Sequence, residues 1–154
     1  MNERRTTTRE RRIGIEIIDT ALMYNLVNVK YNEQSECVTI GMVVCDLDLK
    51  IELDKNFPFT PPRSITINNK NYVDILLISP SKLRNIGLEY GYPKCFCCVS
   101  LMCNDRWNPS SRIPDLYEEI KQVITLKRKT LLIYYSRIIA CNRLTHDIPL
   151  ESYL

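Results

Sequence analysis

Three prolines stand within five residues in Phe57-Pro58-Phe59-Thr60-Pro61-Pro62. Each fixes its own φ and removes a backbone donor, so this stretch enters neither a helix interior nor a paired strand. It divides the chain into parts of different character. Before it, Leu47, Leu49, Ile51 and Leu53 alternate with Asp48, Lys50 and Glu52, which marks a half-buried strand. Glu36 to Val44 is rich in β-branched residues and gives the preceding strand. Leu26 to Tyr31 gives the first, with Asn32-Glu33-Gln34-Ser35 as the turn between them. After the prolines a short strand resumes over Arg63 to Asn68, with Ile65 and Ile67 on one face.

The flanks read as helical. From Arg9 to about Asn25, Ile15, Ile18, Leu22 and Leu26 recur at helical steps. This spacing predicts a core-facing stripe, with Arg11, Glu16 and Asp19 elsewhere on the wheel. Gly14 weakens the helix a little. Residues 1–8, polar and rich in threonine and arginine, are expected to be a disordered basic terminus, and residues 9–154 a single domain. Tyr72 to Ile78 suits a strand or a short helix, and Pro80 to Gly91 a loop with room for one helical turn. Ser110 or Ser111 can cap a helix that takes Pro114 in its first turn and Leu116, Ile120, Val123 and Ile124 as its stripe. A second helix over Thr130 to Leu144 is apolar on most sides and expected to be buried, and the tail Asp147 to Leu154 to dock on the surface. Strands and helices are segregated, so the predicted class is α+β: an N-terminal helix, a four-stranded antiparallel meander and C-terminal helices.

A chain of 154 residues can bury a real core within one domain. The net charge of +3 is unevenly spread. Arg4, Arg5, Arg9, Arg11 and Arg12 crowd one end, and Lys121, Lys127, Arg128 and Lys129 form a second patch. Such patches suit an acidic protein surface or a nucleic acid, and equally a solvated helix face. Nucleic acid ranks last, because no interleaved aromatics accompany the charges. No secretory signal pattern and no membrane-spanning apolar run are present, so a cytoplasmic or nuclear protein is expected.

The cysteines bear on chemistry. There are seven, and Cys95-Phe96-Cys97-Cys98-Val99-Ser100-Leu101-Met102-Cys103 holds four of them, shortly before Trp107-Asn108-Pro109. The odd total and close spacing argue for reduced thiols rather than a secreted disulfide framework. Two chemistries can use the cluster: a cysteine nucleophile carrying an acyl group, or a thiolate metal site. Cys95, Cys97, Cys98 and Cys103 supply the thiolates a structural zinc takes, but zinc sites draw spaced pairs from two segments, and adjacent cysteines rarely share one ion. His146, the lone histidine, is far off in sequence. A redox switch is a third use of the thiols. Cys37, Cys45 and Cys141 fall in strand or helix patterns and read as small buried hydrophobes.

In this order, the two motifs resemble those of the ubiquitin-conjugating enzyme superfamily over roughly Arg9 to Ile124. There, an N-terminal helix precedes a four-stranded meander in which Tyr-Pro-Phe-x-Pro-Pro ends the third strand and leads into the fourth, matched here with Phe57 for the tyrosine. An active cysteine and Trp-x-Pro follow, matched by Cys98 and by Trp107-Asn108-Pro109. The chain departs from the pattern in four ways. The family's His-Pro-Asn is replaced by Tyr92-Pro93-Lys94. The family's spacing to tryptophan falls on Val99, so one inserted residue is needed to reach Cys98. The segment between Pro62 and Cys98 is longer than usual, and the glycine-rich turn between the second and third strands is missing.

The resemblance implies that Cys98 accepts the carboxy terminus of ubiquitin or a related modifier from an activating enzyme and passes it to a lysine amine. Cys97 competes for that role. Lys94, Asn104 or Asn108 is expected to support the oxyanion, and Asp105 to orient or desolvate the incoming lysine. Phe59 and Pro61, with Asn108, Pro109 and Ser110, match the family's ligase-binding loops. Arg9, Arg11 and Arg12 match the helix that meets the activating enzyme. Trp107 is expected to anchor its loop to the core. No cofactor or metal is required by this reading. Two rivals stay open: a non-catalytic relative that binds ubiquitin or a partner protein, and a small zinc-stabilised interaction domain.

Overall fold

The computed structural model of the protein describes residues 7–24, 26–77, 80–103 and 105–141. The expectations for residues 1–6, Asn104, His146 and the tail Asp147–Leu154 fall outside that range. The class is α+β, as predicted. A helix α1 (Thr8–Met23) leads into strands β1 (Leu26–Asn32), β2 (Cys37–Val44), β3 (Leu47–Leu53), β4 (Ser64–Ile67) and β5 (Lys70–Asn71). Helices α2 (Tyr72–Leu77), α3 (Ser81–Glu89) and α4 (Ile113–Ala140) complete it. The sheet is antiparallel, in the order β1-β2-β3-β4-β5. No described helix is long and apolar enough to cross a membrane.

The meander follows the alternation in its sequence. Val38, Ile40, Met42 and Val44 of β2 share a buried face with Leu49, Ile51 and Leu53 of β3 and Ile65 and Ile67 of β4. Against this face pack Ile113, Leu116, Ile120, Val123 and Ile124 of α4, with Tyr72, Ile75 and Leu76 of α2, in one continuous core. Leu83 and Ile86 of α3 meet Leu131 and Tyr134 farther along α4 in a satellite cluster.

The structure corrects five expectations. The sheet has five strands rather than four. Asn68 and Asn69 both take positive φ (47° and 63°), and this tight turn returns the chain as β5. Helix α1 starts at Thr8 rather than Arg9, capped by Thr7, whose hydroxyl accepts from the Glu10 N–H while the Glu10 carboxylate accepts from the Thr7 N–H, a capping box. The ambiguous stretch after β5 is helical, and the segment expected as a loop is mostly α3. The two C-terminal helices are one. Thr125 to Lys129 contains neither Gly nor Pro, so nothing breaks the helix between the two apolar stripes.

The fifth correction concerns α1. Its expected core stripe faces outward: Ile15, Ile18 and Leu22 are 52%, 58% and 80% exposed, while Glu16 and Thr20 are fully buried. The cause is the N-terminus of α4. Helix N-termini leave backbone donors unpaired. Glu16 Oε2 accepts from the Ile113 N–H at 2.8 Å, and Glu16 Oε1 accepts from Arg12 Nε at 2.8 Å. The Arg12 guanidinium also donates to the Ser111 carbonyl, and Arg112 pairs with Asp19. Tyr24 stacks on Tyr117 and donates to Glu118 at 2.8 Å; burial, then this carboxylate, pushes its pKa up to about 12. The inward face of α1 therefore carries Glu16 and Thr20 beside the apolar Ile13 and Ile17, and Glu16 supplies the acceptor that the start of α4 lacks.

Candidate functional site

The cysteine segment lies between α3 and α4 and is held by directed bonds. Gly91, at φ +77°, reverses the chain after α3, a left-handed position that glycine takes without strain. The Tyr92 N–H then donates to the Gly87 carbonyl at 2.9 Å, and the Tyr92 ring lies over Gly87, which has no side chain to block it. Beyond Cys98, Glu119 of α4 takes over. Its Oε1 accepts from Ser100 Oγ at 2.6 Å and from Tyr72 Oη at 3.0 Å, and its Oε2 accepts from the Leu101 N–H at 2.7 Å. One carboxylate thus ties the segment to both α4 and α2. Burial, then the facing Glu119 carboxylate, pushes the Tyr72 phenol well above its ordinary range, so it stays protonated and donates to that carboxylate.

Trp107 closes the segment. Its indole N–H donates to the Pro58 carbonyl at 2.8 Å, and its ring lies 5.9 Å from that of Phe57. Both rings are buried. The Phe57–Pro58 peptide is cis. The proline motif and the Trp-Asn-Pro motif, almost fifty residues apart in sequence, therefore form one structural unit. Beside it, Phe59 is 79% exposed, and Asn108, Pro109 and Ser110 are exposed on the following turn. There the Asn108 side chain accepts from the Ser110 N–H and the Ser110 hydroxyl. Pro61 is half-buried.

Cys95 and Cys97 are joined in a disulfide, where free thiols were expected. The chain bends at Phe96, which packs on the core, and the bend brings the two flanking side chains together. Cys98 is free and exposed, with its Sγ 3.7 Å from that of Cys97. Cys97 is half-buried against the core, so of the two candidate nucleophiles Cys98 is the accessible one. Cys98 and Lys94 line one groove of about 540 Å³, with Arg84 of α3, Tyr92 and Val99 among its other walls. The Tyr92 hydroxyl is buried with no partner among the described residues. Asp105 is exposed in the turn before Trp107, away from the groove lining.

The expected basic surfaces are partly spent inside the protein. Arg9 donates to the carbonyls of Glu36 and Asp54, fastening α1 to the meander, and Arg12 is engaged with Glu16 and Ser111. Arg11 is exposed. In the second patch Lys127 is buried and Arg128 donates to the Cys45 carbonyl. Sequence reasoning missed Glu119, Tyr72 and Arg84. Spacing does not single out Glu119: Glu118 also borders the apolar stripe of Leu116, Ile120 and Val123, yet its side chain is 46% exposed. No family model matches the chain, nor does any curated protein or solved structure.

Proposed function

We propose that this protein is a divergent carrier of the ubiquitin-conjugating type, taking ubiquitin or a related modifier as a thioester on Cys98. One observation carries the reading. The bond from the Trp107 indole to the Pro58 carbonyl joins the two motifs on which the resemblance rests, and the exposed Cys98 sits in the segment they delimit. In the reaction, the Cys98 thiolate attacks the thioester carbonyl presented by an activating enzyme and expels that enzyme's thiolate. A lysine amine then attacks the new thioester, loses its proton to solvent or a base, and expels the Cys98 thiolate as an isopeptide bond forms. The Lys94 ammonium, in the same groove, supplies positive charge for the oxyanion in place of the family's asparagine. Phe59, Pro61 and the turn of Asn108, Pro109 and Ser110 form the ligase-facing surface, and Arg11 remains available to the activating enzyme.

The test is charging with activating enzyme, ATP and ubiquitin, resolved without reductant. A reductant-sensitive adduct should form, persist in Cys97→Ala and vanish in Cys98→Ala. Absence of an adduct with ubiquitin and its relatives, from folded protein, would leave the non-catalytic binding reading in its place.

A further inference from the structure

We propose that Cys95, Cys97 and Cys98, once reduced, form a thiolate site for a soft d10 cation, zinc(II) in the first instance, and that occupancy masks Cys98. The sulfur atoms of the three residues lie within 4.8 Å of one another. A zinc–thiolate bond of about 2.3 Å in tetrahedral geometry sets ligand sulfurs about 3.8 Å apart. The Cys97 and Cys98 sulfurs are already 3.7 Å apart, although adjacent cysteines usually diverge. The bend at Phe96 brings Cys95 to the same place.

The ligand set differs from the four cysteines that the sequence suggests. Cys103 does not join the cluster. Its N–H donates to the Ser100 carbonyl, and its own carbonyl accepts from the Arg106 and Trp107 N–H groups, which fixes it in the next turn. No fourth Cys, His, Asp or Glu among the described residues approaches the three sulfurs. The remaining position is therefore left to water on the groove side, where Cys95 and Cys98 form part of the wall. Three thiolates and a divalent ion carry one net negative charge. Lys94 and Arg84 line the same groove and offset it. Soft sulfur donors in this number select zinc or cuprous ion over the hard divalent cations.

Loading requires reduction first. A phosphine with water delivers two electrons and two protons to the Cys95–Cys97 bond and leaves as the phosphine oxide. The three thiols then release three protons as the cation binds. A cation held by Cys98 withdraws electron density from the sulfur and crowds it, lowering the nucleophilicity that alkylation or acyl transfer needs.

The experiment uses the full chain, reduced anaerobically with a phosphine and verified by thiol count. Zinc(II) is titrated against a chromophoric chelator, and cobalt(II) serves as the spectroscopic probe. One equivalent should bind with sulfur-to-cobalt charge transfer. Stoichiometric binding should be lost in each of Cys95→Ser, Cys97→Ser and Cys98→Ser, with melting curves confirming that each variant folds. It should persist in Cys103→Ser and Cys141→Ser. Zinc should also shield Cys98 from iodoacetamide while exposed Cys141 reacts unchanged, read by mass spectrometry. Three results would overturn the site: no binding by fully reduced protein, binding that survives Cys98→Ser, or alkylation of Cys98 unaffected by zinc. None of these readouts depends on modifier charging, so the site and the conjugating reading can fail separately.

Discussion

The β-meander and the cysteine segment are both ordered, but by opposite means. The meander is held by area: Ile40, Val44, Ile51 and Leu53 are completely buried, and burial is non-directional. The segment from Tyr92 to Ser111 is held by address. Single acceptors, the Glu119 carboxylate and the Pro58 carbonyl, receive specific donors from it, and many of its side chains remain exposed. A packed sheet tolerates little volume change anywhere. A pinned loop depends on a few atoms and leaves the rest of its surface available, which suits a segment that carries exposed thiols.

The sharpest way to break this contrast is to remove area from the meander. Leu53→Ala should cost about 2–5 kcal/mol, the range for a fully buried leucine whose cavity cannot collapse. Urea denaturation should show a lower midpoint with an unchanged slope. If the loss were well under 1 kcal/mol, the meander would not be a close-packed element at all.

The next effect sits on α4, which serves both regions. Lys127 is 1% exposed, and desolvation lowers its pKa from 10.5 to about 8. Below about pH 8 both folded and unfolded chains hold the proton, and the burial penalty is constant. Between about pH 8 and 10.5 the unfolded chain binds more protons than the folded one, so stability should rise with pH across that window. The shift corresponds to about 3 kcal/mol as an upper bound. Lys127→Met should therefore raise the melting temperature at pH 7, by less than that bound because the ammonium's own interactions are lost too. The variant should also abolish the rise between about pH 8 and 10.5. An unchanged pH profile would mean that the amine is solvated in the native state.

Glu119→Gln tests address rather than area. The amide keeps one acceptor oxygen but presents a donor to either the Leu101 N–H or the Ser100 and Tyr72 hydroxyls. The expected global loss is about 1–3 kcal/mol, the usual cost of a mispaired buried group. The local effect should be larger in kind: faster hydrogen exchange at Leu101, and altered alkylation of Cys98, with β2 and β3 amides unchanged. Equal acceleration throughout the sheet would show that the segment and the meander open together.

Much of this contrast follows from how each region records itself in sequence. The alternation of Leu47 to Leu53 marks the buried face of β3 directly, because a strand repeats every two residues. The α1 stripe has equally clear spacing and gave the wrong face. Periodicity reports that apolar residues share a side, not that anything covers it. Ile15, Ile18 and Leu22 lost to Glu16 because one backbone N–H at the start of α4 needed an acceptor, and that need is set by a residue almost a hundred positions away. The same applies at the site. Cys97 and Cys98 are visible in the sequence, and so are the two proline-containing motifs; the bond that joins them, from Trp107 to the Pro58 carbonyl, is not. The Cys95–Cys97 disulfide, the displacement of Cys103 and the hub at Glu119 depend on a bend and on tertiary donors that spacing does not encode.

The smallest prediction returns to the meander, at a turn where its backbone rather than its area sets stability. The β2–β3 hairpin turns through Cys45 and Asp46, both at positive φ (49° and 64°). This two-residue turn matches the twist of the strands but favours Asn-Gly or Asp-Gly. Asp46→Gly removes the crowding between Cβ and the carbonyl, worth about 1–2 kcal/mol, against a glycine entropy cost of about 0.5–1 kcal/mol. A net gain of about 0.5 kcal/mol is expected, seen as a small rise in the denaturation midpoint. Gly41→Ala should move the other way. A Cβ there would stand 2.7 Å from Asn28 Oδ1, opposite the irregular pairing of β1, so the Asn28 side chain must shift. If Asp46→Gly were destabilising, the aspartate would be contributing a contact that outweighs its backbone strain. The hairpin would then resemble the cysteine segment, held by address, rather than the sheet it belongs to.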